Sequence, residues 1–343
     1  MPGAMSPIFG FASYGLRHPR DLFSSVGPTL NELTFGALGS SFDPQRDIGD
    51  LTGKVIFVTG GNIGLGKEAI IQLAKHNPSR IYLGARNATK AQDAIASIQE
   101  TVSSHVDIRY IPLDLASFKS IRAAAGKFNS DSERLDILML NAGTMGNPPD
   151  TTEEGFEVQF GTNHIGHFLL TKLLLPTLQK TAANATPAPD VRVVTLSSVG
   201  HSAAPSFDVM TSTPALLDAS TWTRYGASKA ANILFAAELA RRYPEILSVA
   251  VHPGAVSSNL YQHAKASAFT RAALAAMSLG FRSVRTGAMN QLFAAGAKKE
   301  DLVNGGYYIP IGVHAKTQYA SDAELGKKLW EWTEKQIEEK SQS

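Results

Sequence analysis

The feature that most constrains this chain is a rhythm. From Leu51 onward, short runs of β-branched and other apolar residues alternate with longer amphipathic segments. "KVIFVTG", "RIYLGAR", "DIRYIPLDL", "LDILMLNAG", "VRVVTLSS" and "LSVAVHPG" each read as a buried strand closed by turn residues, and "GGYYIPI" supplies a seventh. Helical stretches are expected between them, the first over 64–76 and the second over 89–103. Strands that are apolar throughout must be covered on both faces, and a crossover helix between successive strands does this. Such crossovers are right-handed. The expected fold is therefore α/β, a doubly wound parallel sheet of about seven strands with helices on both faces. The tail, "DAELGKKLWEWTEKQIEEKSQS", closes it as an amphipathic helix.

Composition narrows the function classes. The chain has 343 residues, 43% apolar and 18% charged, which describes a globular protein with a sizeable core. Its 32 basic and 30 acidic residues leave a net charge of +2 and no basic block, so no nucleic-acid partner is expected. With no cysteine there is no disulfide, thiolate metal site or Cys nucleophile. No run of 18 apolar residues marks a transmembrane helix. Residues 1–50 differ from the rest, being rich in Gly, Pro, Ser and Phe, and are expected to form an irregular extension to a single domain over 51–343. They lack the charged start and apolar core of a secretory signal. A cytoplasmic protein is expected, while Arg17, Arg20 and nearby serines leave open mitochondrial targeting or peripheral membrane contact.

Several loops carry chemistry. "TGGNIGLGKE" follows the first strand and opens the first helix, where glycines allow a tight turn and close approach to a pyrophosphate. Gly60, Gly64 and Gly66 are spaced TGxxxGxG, and no GK[ST] ends the loop as a phosphate-transfer motif would require. Twenty residues past Gly66 stands Arg86, with no acid beside it. A guanidinium there suits a ribose 2′-phosphate and a carboxylate would repel it, so NADP(H) is favoured and NAD(H) stays open. Asp114 reads as a cap or a ligand contact, and Asn141-Ala142-Gly143 as a turn or a cofactor floor. His164 and His167 form an HxxH pair without a third ligand, which reads as packing rather than metal binding. Ser198 ends the fifth strand outside any GxSxG elbow, so an acyl nucleophile is not indicated. Tyr225 and Lys229 lie four apart and share a helix face. Alone, they read as an exposed polar pair.

Taken together, TGxxxGxG, NAG, Asn163 on the long helix, Ser198 after a strand and YxxxK resemble the short-chain dehydrogenase/reductase family. The resemblance runs from Leu51 to the C-terminus and is greatest to retinol-dehydrogenase-like members, through "TGGNIGLGKE", "NHIGHFLLTKLLL", "SSVGHS" and "SVRTGAMNQLFAA". Ala85 departs from those relatives, which often have Cys there, and residues 1–50 lack their membrane anchor. The resemblance implies a Rossmann-like fold and an oxidoreductase. Tyr225 would be the general acid/base, Lys229 would favour its phenolate and bind ribose, Ser198 would polarise a carbonyl, and Asn163 would hold a relay water. Gly60, Asn62, Ile63, Gly64, Leu65, Gly66, Arg86, Asp114, Leu115, Asn141, Ala142 and Gly143 would line the dinucleotide, with Tyr225 and Lys229. Pro253, Gly254, Val256 and Ser258 would surround the nicotinamide. A segment over 257–282, with Leu260, Phe269, Leu274, Met277, Leu279 and Phe281, would close over an apolar ketone, aldehyde or alcohol. A homodimer is left open. Rival readings are a non-catalytic NADP(H)-binding sensor and a membrane-surface interaction protein.

Overall fold

One eight-stranded sheet organises the protein, in the order β3-β2-β1-β4-β5-β6-β7-β8. The strands are β1 (Val55–Thr59), β2 (Arg80–Ala85), β3 (Asp107–Pro112), β4 (Ile137–Leu140), β5 (Arg192–Leu196), β6 (Leu247–Val251), β7 (Tyr307–Ile309) and β8 (Val313–Ala315). The structure is a computed structural model, and it describes residues 42–102, 106–184, 190–256 and 282–342. Strands β1 to β7 are parallel, with Thr59 opposite Gly84, Val58 opposite Met139, and Leu196 opposite Val251. Order reverses between β1 and β4, where chains leave the sheet in opposite directions and open a crevice at the strands' C-terminal ends. The sheet has one strand more than the periodicity predicts. β8 is three residues long and antiparallel to β7, too short to show an apolar alternation, and Gly312 at φ +69° makes its turn.

Period-two alternation sorts the strand residues between two cores. Ile56, Val58, Ile81, Leu83, Met139 and Val249 face one layer, formed by α1 (Gly64–Ala74), α2 (Ala88–Thr101) and a later helix over Val284–Gly296. Phe57, Tyr82, Leu138, Leu140 and Val193 face the other. That layer holds α3 (Phe118–Asp131), α4 (Gly166–Asn184), α5 (Thr221–Arg242) and the C-terminal helix Ala323–Gln342. In chain order the last two helices are α6 (Val284–Gly296) and α7 (Ala323–Gln342). The first helix stops two residues short of expectation because Asn77 turns left-handed at φ +58° ahead of Pro78.

Helix α5 is buried from Arg224 to Ala240, far more than an amphipathic helix on a sheet would be. Helix α7 covers its outer face: the Trp330 ring stacks on Phe235 at 5.9 Å and meets Phe168 of α4 edge-on at 4.7 Å. At the other end of the fold, Asp43 caps a single turn, Pro44–Asp47, and Ile48 packs against Gly296, whose missing side chain makes room for it. Residues 1–41 lie outside the described residues. Among the described residues, no helix is long and apolar enough to cross a membrane.

Candidate active site

The first strand delivers Thr59 to the crevice, and the glycine loop follows. Gly60 takes φ +67° and Gly64 +56°, the left-handed region that glycine occupies without strain. At Gly66 the need is space, since a Cβ there would strike the Gly60 carbonyl. Ile63 precedes α1 in extended conformation and offers no side-chain cap, and the first turn of α1 carries no acid. The helix therefore presents unclaimed N–H groups and its positive dipole end to the crevice. Asn141 closes the loop from β4, its amide donating to the Thr59 carbonyl at 2.9 Å. This cradle fits the pyrophosphate of a dinucleotide: it has backbone donors, glycines that allow close approach, and, among the described residues, no acid in the first turn of α1.

Four residues converge one layer further along. Tyr225 and Lys229 sit a turn apart on α5, with the ammonium 5.5 Å from the centre of the phenol ring. Lys229 is 3% exposed and donates to the Leu196 carbonyl at 3.0 Å. Burial strips the ammonium of water and lowers its pKa from 10.5 to about 7. Asn163 lies in a π-helical turn, Gly161–Ile165, just ahead of α4. Its side chain accepts from Thr144 N at 2.8 Å and donates to Ser228 Oγ at 2.9 Å, and Ser228 donates on to the Tyr225 carbonyl at 2.8 Å. A Cβ built on Gly143 would lie 3.2 Å from Asn163 Oδ1 and 3.6 Å from Lys229 Nζ, so this bare backbone lies between amide and amine. Ser198 caps the 3₁₀ turn Val199–Ala203, accepting from Gly200 N at 3.1 Å, which leaves its own proton to give. A Cβ on Gly200 would touch the Tyr225 ring at 2.9 Å and Ser198 Oγ at 3.4 Å. The Ser198 hydroxyl and the edge of the Tyr225 ring thus both border Gly200. A charged lysine beside a phenol favours its ionised form, and a serine hydroxyl with a proton to give can donate a hydrogen bond to a ligand oxygen.

The remaining sequence candidates line the same C-terminal edge. Arg86 stands exposed beyond β2, two residues past Gly84, whose carbonyl accepts from Gly60 N at 2.7 Å. Asp114 accepts from Ala116 N at 2.9 Å, as a turn-forming cap does, and Leu115 packs under Gly166. Asn62 and Leu65 are half-buried in the loop, and the Leu65 carbonyl accepts from Gln291 of α6 at 2.9 Å. Pro253, Gly254 and Val256 follow β6, with Val256 bridged to Arg282. Ser258 and all of the predicted substrate segment, 257–282, except Arg282 lie outside the described residues. His164 bonds Thr333 of α7 at 3.2 Å, whereas His167 bonds Thr59 at 2.9 Å, so the HxxH pair does not converge on one point.

Sequence reasoning passed over several members. Thr59 stands in the quoted loop motif, yet nothing marks its hydroxyl as the acceptor of both Asn141 N at 3.0 Å and Ala142 N at 2.9 Å. Glu157 and Arg224 form a buried ion pair at 3.2 Å beside Tyr225, and a separation of 67 positions hides it from any local pattern.

Known proteins resemble this chain over most of its length. Residues 54–206 match the model of the short chain dehydrogenase family. A short-chain dehydrogenase/reductase of Armillaria gallica is 40% identical over 85% of this chain and 93% of its own length. Human retinol dehydrogenase 13 is 37% identical over 82% of this chain and 83% of its own. Among solved structures, Pseudomonas aeruginosa RhlG in an NADP active-site complex superposes with a TM-score of 0.59 at 26% identity, covering 77% of this chain and 96% of that one.

Proposed function

This chain belongs to the short-chain dehydrogenase/reductase family, and from that premise we propose that it transfers a hydride between NADP(H) and an apolar ketone or aldehyde and the corresponding alcohol, with Tyr225 as general acid/base. The observation that carries the proposal is Lys229: a lysine 3% exposed, one turn from a phenol, with its pKa lowered to about 7. A free phenol titrates near ~10, and bringing it to neutrality takes roughly 4 kcal/mol of preferential stabilisation of the phenolate. Charging Lys229 beside the forming phenolate supplies part of that, in a site where burial weakens screening.

In reduction, Tyr225 gives its proton to the substrate oxygen while Ser198 donates a hydrogen bond to the same atom. Lys229 replenishes the phenolate, and Asn163, held by Thr144 and Ser228, keeps the lysine's surroundings fixed and polar. The nicotinamide cofactor, when bound, supplies or accepts the hydride. Gly60, Gly64 and Gly66 would hold its pyrophosphate at the head of α1. Arg86 would pair with the 2′-phosphate, and Pro253, Gly254 and Val256 would border the nicotinamide. An apolar substrate is supported by the apolar composition of residues 257–282 and by the retinol dehydrogenase relative.

Fluorescence titration with NADPH and NADH, on wild type and Arg86→Ala, tests the cofactor assignment. The expected result is tight NADPH binding that weakens in the variant while NADH binding is unchanged. The same samples, given a panel of apolar ketones and aldehydes, should consume NADPH. Binding without turnover of any of them would favour a cofactor sensor, and binding of neither nucleotide would overturn the reading.

A further inference from the structure

His167 has no role in the mechanism above, yet it is 1% exposed and touches two parts of the site. Its Nδ1 lies 3.0 Å from the Asn163 carbonyl, and its Nε2 lies 2.9 Å from Thr59 Oγ1. A carbonyl only accepts, so Nδ1 carries the proton, and in a neutral ring Nε2 must then accept. Thr59 agrees from its own side. Its hydroxyl oxygen already receives the N–H groups of Asn141 and Ala142 at 3.0 and 2.9 Å, which leaves one proton to give. The acceptors within reach are Nε2 at 2.9 Å and the Met139 carbonyl at 3.4 Å, and the shorter contact is the ring. One tautomer satisfies every partner. Burial holds the imidazole neutral by lowering its pKa to about 4.

The chain of contacts runs from the floor of the cofactor crevice to the relay amide. Asn141 and Ala142 at the end of β4 meet Thr59 at the end of β1, Thr59 meets His167 on α4, and His167 meets the backbone of Asn163. The Asn163 carbonyl belongs to a π-helical turn, Gly161–Ile165, where the regular α-helical ladder is interrupted. His167 Nδ1 reaches that carbonyl from four residues further along the chain.

We propose that His167 is a positioning residue for the reaction: as the Nδ1–H tautomer it ties the Asn163 carbonyl to the Thr59 hydroxyl and so fixes Asn163 relative to the cofactor floor. The proposal rests on the oxidoreductase reading above. Its test compares His167→Phe, which keeps a ring but removes both nitrogens, with His167→Asn, whose amide can still donate to the Asn163 carbonyl, and with Thr59→Val. NADPH binding, kcat and KM for an apolar carbonyl, and thermal midpoint are measured for each. His167→Phe is expected to lower kcat by up to about 100-fold, the scale of a misplacement of about 1 Å, with KM little changed. His167→Asn should recover much of that kcat at a thermal midpoint no higher than that of the Phe variant, a split that a purely structural role would not produce. Adding Thr59→Val to His167→Phe should cost no more than the worse single change, since both break one chain. Should the Phe variant fail to fold, Thr59→Val alone must lower kcat in soluble protein, and an unchanged kcat there overturns the proposal. So does a His167→Phe enzyme with wild-type kcat. A wild type that consumes no NADPH with any carbonyl would instead overturn the underlying reading.

Discussion

Lys229 is the residue on which the most physics converges. It is buried against the Leu196 carbonyl, with no acid at ion-pair distance among the described residues, and its pKa lies near 7 rather than 10.5. Between those two values the unfolded chain binds more protons than the folded one, so stability must rise with pH across that window. We therefore expect the cofactor-free protein to gain a few kcal/mol between pH 7 and pH 10 from this site, and Lys229→Met to lose that gain. Urea midpoints at the two pH values measure it, and equal slopes in wild type and variant would contradict it. The YxxxK spacing was legible in the sequence because i and i+4 share a helix face. The depth of burial was not, because it comes from the end of β5 and the turn after β4, where the Leu196 carbonyl and the bare backbone of Gly143 close on the ammonium from segments more than thirty residues away. Glycine spacing was legible for a similar local reason: Gly60 and Gly64 adopt positive φ, and Gly66 faces a carbonyl.

At the scale of elements, the start of α5 is held by more than its Ser220 cap. Arg224, 2% exposed, pairs with Glu157, 0% exposed, and donates to the Asn147 carbonyl at 2.7 Å. Gln159 adds bonds from Gly146 N and to Thr221, so the loop after β4 and the first turn of α5 move as one. Removing one partner of such a buried pair leaves an uncompensated charge. Glu157→Gln should cost about 3–5 kcal/mol in urea denaturation; a loss within the usual range of a surface substitution would show that Arg224 is satisfied by carbonyls alone. Neither this pair nor the π-helical turn was legible. The pair joins residues far apart in sequence, and an i→i+5 turn has no periodicity that distinguishes it from the α-helix expected around Asn163.

At the scale of the whole molecule, the alternation of strands and helices sufficed to predict the sheet, since buried parallel strands announce themselves as continuous apolar runs. It did not predict that α7 would lie across α4 and α5, because an amphipathic pattern says that a face is buried without saying against what. Trp330 carries that docking through Phe168 and Phe235. Trp330→Ala should cost about 3–5 kcal/mol, read from chemical denaturation, and a change near zero would mean the helix contributes little to the core. The whole arrangement brings a phenol, a lysine, a serine and an asparagine from three elements to one crevice edge, and in the proposed reaction the phenol moves the proton. The most direct measurement is therefore NADPH binding and single-turnover carbonyl reduction by Tyr225→Phe. Undiminished NADPH binding is expected, with turnover lower by about 10²–10⁴-fold, the usual worth of a general acid. Turnover equal to wild type would remove Tyr225 from the mechanism.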